Sequence, residues 1–77
     1  MRYDVTAHAN LRHYLPGALE KTQVESPSPL TVRELLERLR IPESEVMSAS
    51  VGGTTRKLED RLAEDCEVDL LPVLSGG

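Results

Sequence analysis

The stretch Leu30-Thr31-Val32-Arg33-Glu34-Leu35-Leu36-Glu37-Arg38-Leu39-Arg40-Ile41-Pro42 carries a helical period with a start and a stop signal, and the rest of the chain is read around it. Thr31 can accept from the free N–H groups of a first helical turn. Glu34, three residues on, reaches back to the Thr31 N–H, and Leu30 can staple onto Leu35. Val32, Leu35, Leu36 and Leu39 fall at i, i+3, i+4 and i+7, one apolar stripe opposite Arg33, Glu37 and Arg40. Pro42 is expected to stop the helix by pushing Ile41 out of helical geometry. Burying four such side chains is worth roughly 6–12 kcal/mol gross, at about 1.5–3 each, before chain entropy is subtracted. The helix therefore needs a sheet to pack on.

Both flanks supply strands. Between Arg2 and Ala9, Tyr3, Val5, Ala7 and Ala9 alternate with Arg2, Asp4, Thr6 and His8, the period of a half-buried strand. Leu11 to Leu15 is a short apolar stretch ended by the turn signal Pro16-Gly17. From Lys21 to Glu25, Thr22 and Val24 face away from Lys21, Gln23 and Glu25, predicting a second strand that pairs with the first as a hairpin. Beyond the helix, Met47, Ala49 and Val51 alternate with Ser48 and Ser50 and run into Gly52-Gly53, suited to the positive φ of a tight hairpin. Thr54 to Leu58 reads as a short strand, and Leu58 and Leu62 face inward across Glu59, Asp60 and Arg61. Val68 and Leu70 then point one way and Asp69 and Leu71 the other, ending at Pro72. Strand, strand, helix, strand, strand, strand is the order of an α+β roll of the ubiquitin-like type. It predicts a mixed sheet of about five strands with one main helix on one face.

Composition narrows the function. At 77 residues and 8.5 kDa the chain is expected to be a single domain, 1–77, with a flexible tail at 73–77. Such a size leaves little room for an elaborate enzyme pocket. With no Trp or Phe and two Tyr, the core must be aliphatic. Nine basic against thirteen acidic residues give a net charge of -4, the wrong sign for nucleic-acid binding. Residues 1–40 carry +1 (six basic, five acidic) and residues 41–77 carry -5 (three basic, eight acidic). The acidic half suits a basic partner, although such asymmetry is also ordinary solvated surface. One Cys excludes an internal disulfide, a multi-cysteine zinc site and a cysteine-ligated cluster. Neither a membrane span nor a signal-peptide core is evident, so a cytoplasmic location and no membrane partner are expected.

The last strand runs out through Pro72-Val73-Leu74-Ser75 to Gly76-Gly77. At average glycine usage of about 7%, two terminal glycines arise by chance in about one chain in 200. Lacking Cβ, Gly76 and Gly77 can thread a narrow channel and leave the Gly77 carboxylate uncrowded. Leu74 to Gly77 reach roughly 13 Å when extended, enough to enter a partner's buried active site. Pro72 fixes one φ where the tail leaves the sheet. Val73 and Leu74 suit a partner's groove or, equally, cover a domain edge.

A free carboxylate resists nucleophiles because it is anionic and has no leaving group. Adenylation with ATP removes both obstacles, and sulfide or a persulfide sulfur can then attack to leave a thiocarboxylate. The chain has no phosphate loop for this; Gly52-Gly53-Thr54-Thr55 lacks the spacing. It is therefore expected to be a carrier acted on by a separate activating enzyme, which uses the ATP, and to hold no cofactor or metal of its own.

The segments Ala9-Asn10-Leu11-Arg12, Thr31-Val32-Arg33-Glu34-Leu35-Leu36, Val51-Gly52-Gly53 and Leu71-Pro72-Val73-Leu74-Ser75-Gly76-Gly77 resemble, in order and over essentially the whole chain, the MoaD/ThiS sulfur-carrier family. The Ala-x-Leu-Arg start and the Pro-x-x-Ser-Gly-Gly end look more like its MoaD branch, the small subunits of molybdopterin synthase, than its ThiS branch. Departures are Glu64-Asp65-Cys66 where Asp-Gly-Asp is common, Gly52-Gly53 for Asn-Gly, and Val73 for a second proline. The resemblance implies a β-grasp fold, adenylation of Gly77 by a ubiquitin-activating-type adenylyltransferase, and thiocarboxylate formation from a sulfur donor protein. It further implies delivery with a larger molybdopterin-synthase-like subunit in molybdenum or tungsten cofactor synthesis. Pro72, Val73, Leu74, Ser75 and Gly76 are then partner-binding residues. Alternatives are a ThiS-like carrier for thiamin or another sulfur pathway, and a ubiquitin-like modifier joined to target lysines through the same terminus.

Other residues carry weaker signals. Cys66 reads as a small hydrophobe whose neighbours Glu64, Asp65 and Glu67 raise its thiol pKa. His8 and His13 lack a partner set for metal or base chemistry. Arg12, Arg33 and Arg40 read as solubilising charge rather than a patch.

Overall fold

Alternation turns Tyr3, Val5 and Ala7 of β1 (Arg2–Ala7) into the interior, and the same period buries Val24 of β2 (Lys21–Glu25). The computed structural model describes residues 1–73. Its other elements are the two-residue β3 (Leu30–Thr31), the helix α1 (Val32–Leu39), β4 (Val46–Val51), β5 (Thr54–Arg56), the two-residue β6 (Arg61–Leu62) and β7 (Cys66–Pro72). β1 and β2 form the expected antiparallel hairpin pair, with Tyr3 opposite Val24. The main sheet has the order β2-β1-β7-β4-β5, its central strands β1 and β7 parallel, and β3 and β6 make a small second sheet. This is an α+β, ubiquitin-like β-grasp arrangement.

The core gathers Tyr3, Val5, Val68 and Leu70 from the sheet, Val32, Leu35 and Leu36 from the helix, and Leu11, Leu15 and Ile41 from the connections. Tyr3 is fully buried, and its hydroxyl accepts from the Leu30 N–H at 3.0 Å and donates to the Leu62 carbonyl at 2.6 Å. One side chain of the main sheet thereby ties both strands of the small sheet.

The capping box forms: the Glu34 N–H donates to Thr31 Oγ1 at 3.1 Å and the Thr31 N–H to Glu34 Oε1 at 2.8 Å. That backbone bond holds the Glu34 carboxyl below its ordinary range. Its stabilisation is present at neutral pH, above the unfolded-state pKa, and is lost as pH falls through the folded one.

Three expectations are corrected. The helix ends at Leu39, before Pro42 can act, because Arg40 turns left-handed (φ 59°) and the Ile41 N–H donates to the Leu36 carbonyl at 2.9 Å. This is a Schellman closure that buries Ile41. A left-handed arginine is strained, so Arg40→Gly is expected to stabilise the fold by roughly 0.5–1 kcal/mol in urea titrations. Ala9 does not extend β1; it also takes a positive φ (53°) and opens a 3-10 segment, Ala9–Tyr14, that buries Leu11. Met47 does not share the buried face of Ala49, because the register shifts between Val46 and Ser48. Gly52 and Gly53 do take the positive φ values (60° and 82°) of a two-residue hairpin joining β4 to β5.

Candidate functional site at the tail exit

Pro72 closes β7 opposite Val46, and its ring is buried on the core side. The missing proline N–H costs no ladder bond further on, since the next N–H, of Val73, donates to the Glu45 carbonyl at 3.1 Å. Val73, expected to begin a flexible tail, is thus tied to the segment before β4. Leu74, Ser75, Gly76 and Gly77 lie outside the described residues.

The pairs Val46–Pro72 and Ser48–Leu71 leave Met47 as the extra residue of a β-bulge. Its side chain is 59% exposed, beside Leu71 at 38% and Val73 at 47%, so three large apolar side chains stand in solvent around the point where the chain leaves the sheet. Leu71 was legible from alternation, whereas the sequence left Val73 equally between a partner's groove and a domain edge. Met47 was not legible, because a bulge interrupts the period that would have placed it inside.

The same outward face continues away from the exit as a polar one. With Val68 and Leu70 turned inward, β7 presents Glu67, Asp69 and Leu71 outward, and β1 presents Asp4 and Thr6. Asp4 stands opposite Glu67 and Thr6 opposite Asp69 in the parallel register. Asp69 Oδ1 lies 3.0 Å from His8 Nε2, a partner for His8 that linear spacing did not reveal. Among the described residues neither Asp4 nor Glu67 is in an ion pair.

Cys66, the first residue of β7, is half-buried. Burial chiefly pushes its thiol pKa up, with Asp65, Glu64 and Asp4 adding to the rise and Arg56 opposing it. It is therefore unsuited to act as a thiolate. Arg33 is engaged by Glu43 at 2.6 Å and Glu59 at 3.4 Å, which raises its pKa further and removes it from any free basic patch. Among the described residues no group of three or more His, Cys, Asp or Glu is placed to hold a metal ion. No helix there is long and apolar enough to cross a membrane.

The ThiS family model matches residues 8–77. Among curated protein sequences none matches significantly. Solved structures that match include SAMP1 from Haloferax volcanii, 20% identical with a TM-score of 0.71 over 100% of both chains. A second is a protein described as molybdopterin converting factor, subunit 1, from Pyrococcus furiosus, 18% identical with a TM-score of 0.74 over 96% of this chain and 99% of that one. A further structure of the Haloferax volcanii small archaeal modifier protein 1 is 15% identical with a TM-score of 0.74, covering 95% and 98%. At these identities the structures establish the shared fold.

Proposed function

The chain belongs to the ThiS family, and from that premise we propose that it is a sulfur carrier whose reactive group is the Gly77 carboxylate. The observation that carries the proposal is that the family match runs through residue 77, so it includes the Gly-Gly end that the chemistry requires. A ubiquitin-activating-type adenylyltransferase joins the carboxylate to AMP from ATP, releasing pyrophosphate. Sulfide then expels AMP to give the thiocarboxylate. With a persulfide donor protein the first product is an acyl disulfide, which a second thiol cleaves to the same end. The chain acts as carrier rather than as an enzyme by itself, and it holds no cofactor.

Within this reading Val73, Leu74, Ser75 and Gly76 line the partner's channel. Pro72, buried against the core, aims them instead of touching the partner. The MoaD-like tail and the likeness to the Pyrococcus furiosus converting-factor subunit support delivery to a larger molybdopterin-synthase-like subunit in molybdopterin synthesis. A second reading, a modifier joined to protein lysines, is favoured by the likeness to the two Haloferax volcanii modifier structures. The test is ATP–pyrophosphate exchange by a candidate adenylyltransferase from the same genome, followed by sulfur transfer from the product to the larger subunit's substrate. Exchange that requires the chain, followed by transfer, supports the carrier. Denaturant-resistant, Gly77-dependent adducts without transfer would move the assignment to the modifier.

A further inference from the structure

β2 is an outer strand of the main sheet, and among the described residues no strand pairs with its far side. The Ala7 N–H donates to the Glu20 carbonyl at 2.8 Å and the Ser26 N–H to the Met1 carbonyl at 2.9 Å, in the same register that sets Tyr3 opposite Val24 and Val5 opposite Thr22. Bonded pairs of an antiparallel ladder recur at every second residue, so Thr22 and Val24 spend their backbone groups on β1. Lys21, Gln23 and Glu25 turn theirs to the open side. Their side chains are exposed, the cation at one end of the strand and the carboxylate at the other, and among the described residues neither Lys21 nor Glu25 is in an ion pair. A second β2 reversed against this edge about Gln23 places Lys21 of each copy opposite Glu25 of the other. It also satisfies the free N–H and C=O groups of Lys21, Gln23 and Glu25 on both sides. Just past the strand, the same register brings Leu19, 65% exposed, toward the exposed Pro27 of the other copy, whose missing N–H ends the ladder.

We infer that β2 is a contact between two copies of this chain, joined strand to strand and antiparallel into one continuous sheet, with Gln23 at the two-fold axis. Charge complementarity selects a second copy as the occupant, because the register that engages all three free residues also forms two cross-strand Lys–Glu pairs. The other outer strand, β5, spans only Thr54–Arg56 and carries no carboxylate, so reversing it on itself makes no such pair. Arg38 guards the β2 edge: from α1 its guanidinium donates to the Glu25 carbonyl at 3.1 Å, one of the groups the second copy must reach. An interface of one five-residue strand is small, so the dimer is weak and concentration-dependent. β7 lies two strands in from β2, which leaves the tail exits of both copies open, and the contact neither needs nor excludes the carrier chemistry.

Sedimentation velocity on the full chain, from about 20 μM to about 2 mM, tests the contact, with amide exchange read at both ends of that range. The parent is expected to dimerise with a Kd of about 0.1–1 mM. Its Lys21 and Gln23 amides are expected to exchange more slowly at the higher concentration. Lys21→Glu and Glu25→Lys are each expected to weaken the dimer about tenfold, and an equimolar mixture of the two to regain the parent's affinity, since each supplies the charge the other lacks. Arg38→Ala, which uncovers the Glu25 carbonyl, is expected to tighten the dimer about threefold. Lys57→Glu, the same charge change on an exposed lysine outside β2, is expected to leave it unchanged. Thermal melts establish that each variant is folded. A parent that stays monomeric at about 2 mM overturns the inference. So does a dimer that folded β2 variants leave unchanged, or one whose two single variants do not recombine. Amide exchange on the parent tests the same contact without any substitution, and a Gln23 amide that exchanges equally fast at both concentrations also overturns it.

Discussion

Deleting Gly76 and Gly77 is expected to leave the melting temperature unchanged and to lower adenylation by at least about 100-fold. The last buried side chain among the described residues is Pro72, and the last described tie of the chain to the fold is the Val73 N–H on the Glu45 carbonyl, so the deletion removes no packed side chain. It shortens the reach by roughly 7 Å, at about 3.3 Å per residue. It also puts the carboxylate on Ser75, whose Cβ and hydroxyl crowd the acyl carbon. Circular dichroism melts and pyrophosphate exchange separate the two effects. Full activity in the truncated chain would exclude Gly77 as the reacting residue.

Tyr3→Phe is expected to destabilise the fold by about 2–6 kcal/mol. The phenol is fully buried and serves two backbone groups at once, the Leu30 N–H and the Leu62 carbonyl. Removing the oxygen leaves a donor and an acceptor without partners in the interior, at about 1–3 kcal/mol each. Little ring packing is lost, so the effect belongs to the hydrogen bonds. Urea titration checks it, and a change below about 0.5 kcal/mol would mean that the Leu30 N–H and the Leu62 carbonyl find other partners when the phenol oxygen is gone. The small sheet should loosen first, with faster amide exchange at Leu30 than in β1 or β7.

What could be read from the chain beforehand follows from which signals are local. The capping box at Thr31 and Glu34, the alternation in β1 and β7 and the Gly52-Gly53 turn each depend on neighbours within a few residues, and the structure shows them as expected. The departures depend on distant partners or on backbone that residue type does not encode. Arg40 and Ala9 are left-handed without being glycine. Met47 is turned out by a bulge that exists only because β4 pairs with β7. The Tyr3 hydroxyl finds partners 27 and 59 residues away. Of the candidate site, Leu71 was legible by period and Val73 was left between two placements, whereas the opposed Asp4 and Glu67 required the parallel register of β1 on β7. The proposed reacting end, Gly76-Gly77, is legible only in the sequence and lies outside the described residues.

The measurement that tests the central claim most directly is the intact mass of the chain after incubation with ATP, a sulfide or persulfide source and the adenylyltransferase of the same genome. The carrier account predicts a gain equal to exchange of one oxygen for one sulfur, localised to Gly77 and absent from the chain lacking Gly76 and Gly77. A chain that is activated but leaves the reaction with its mass unchanged, or joined through Gly77 to lysines of other proteins, would contradict it.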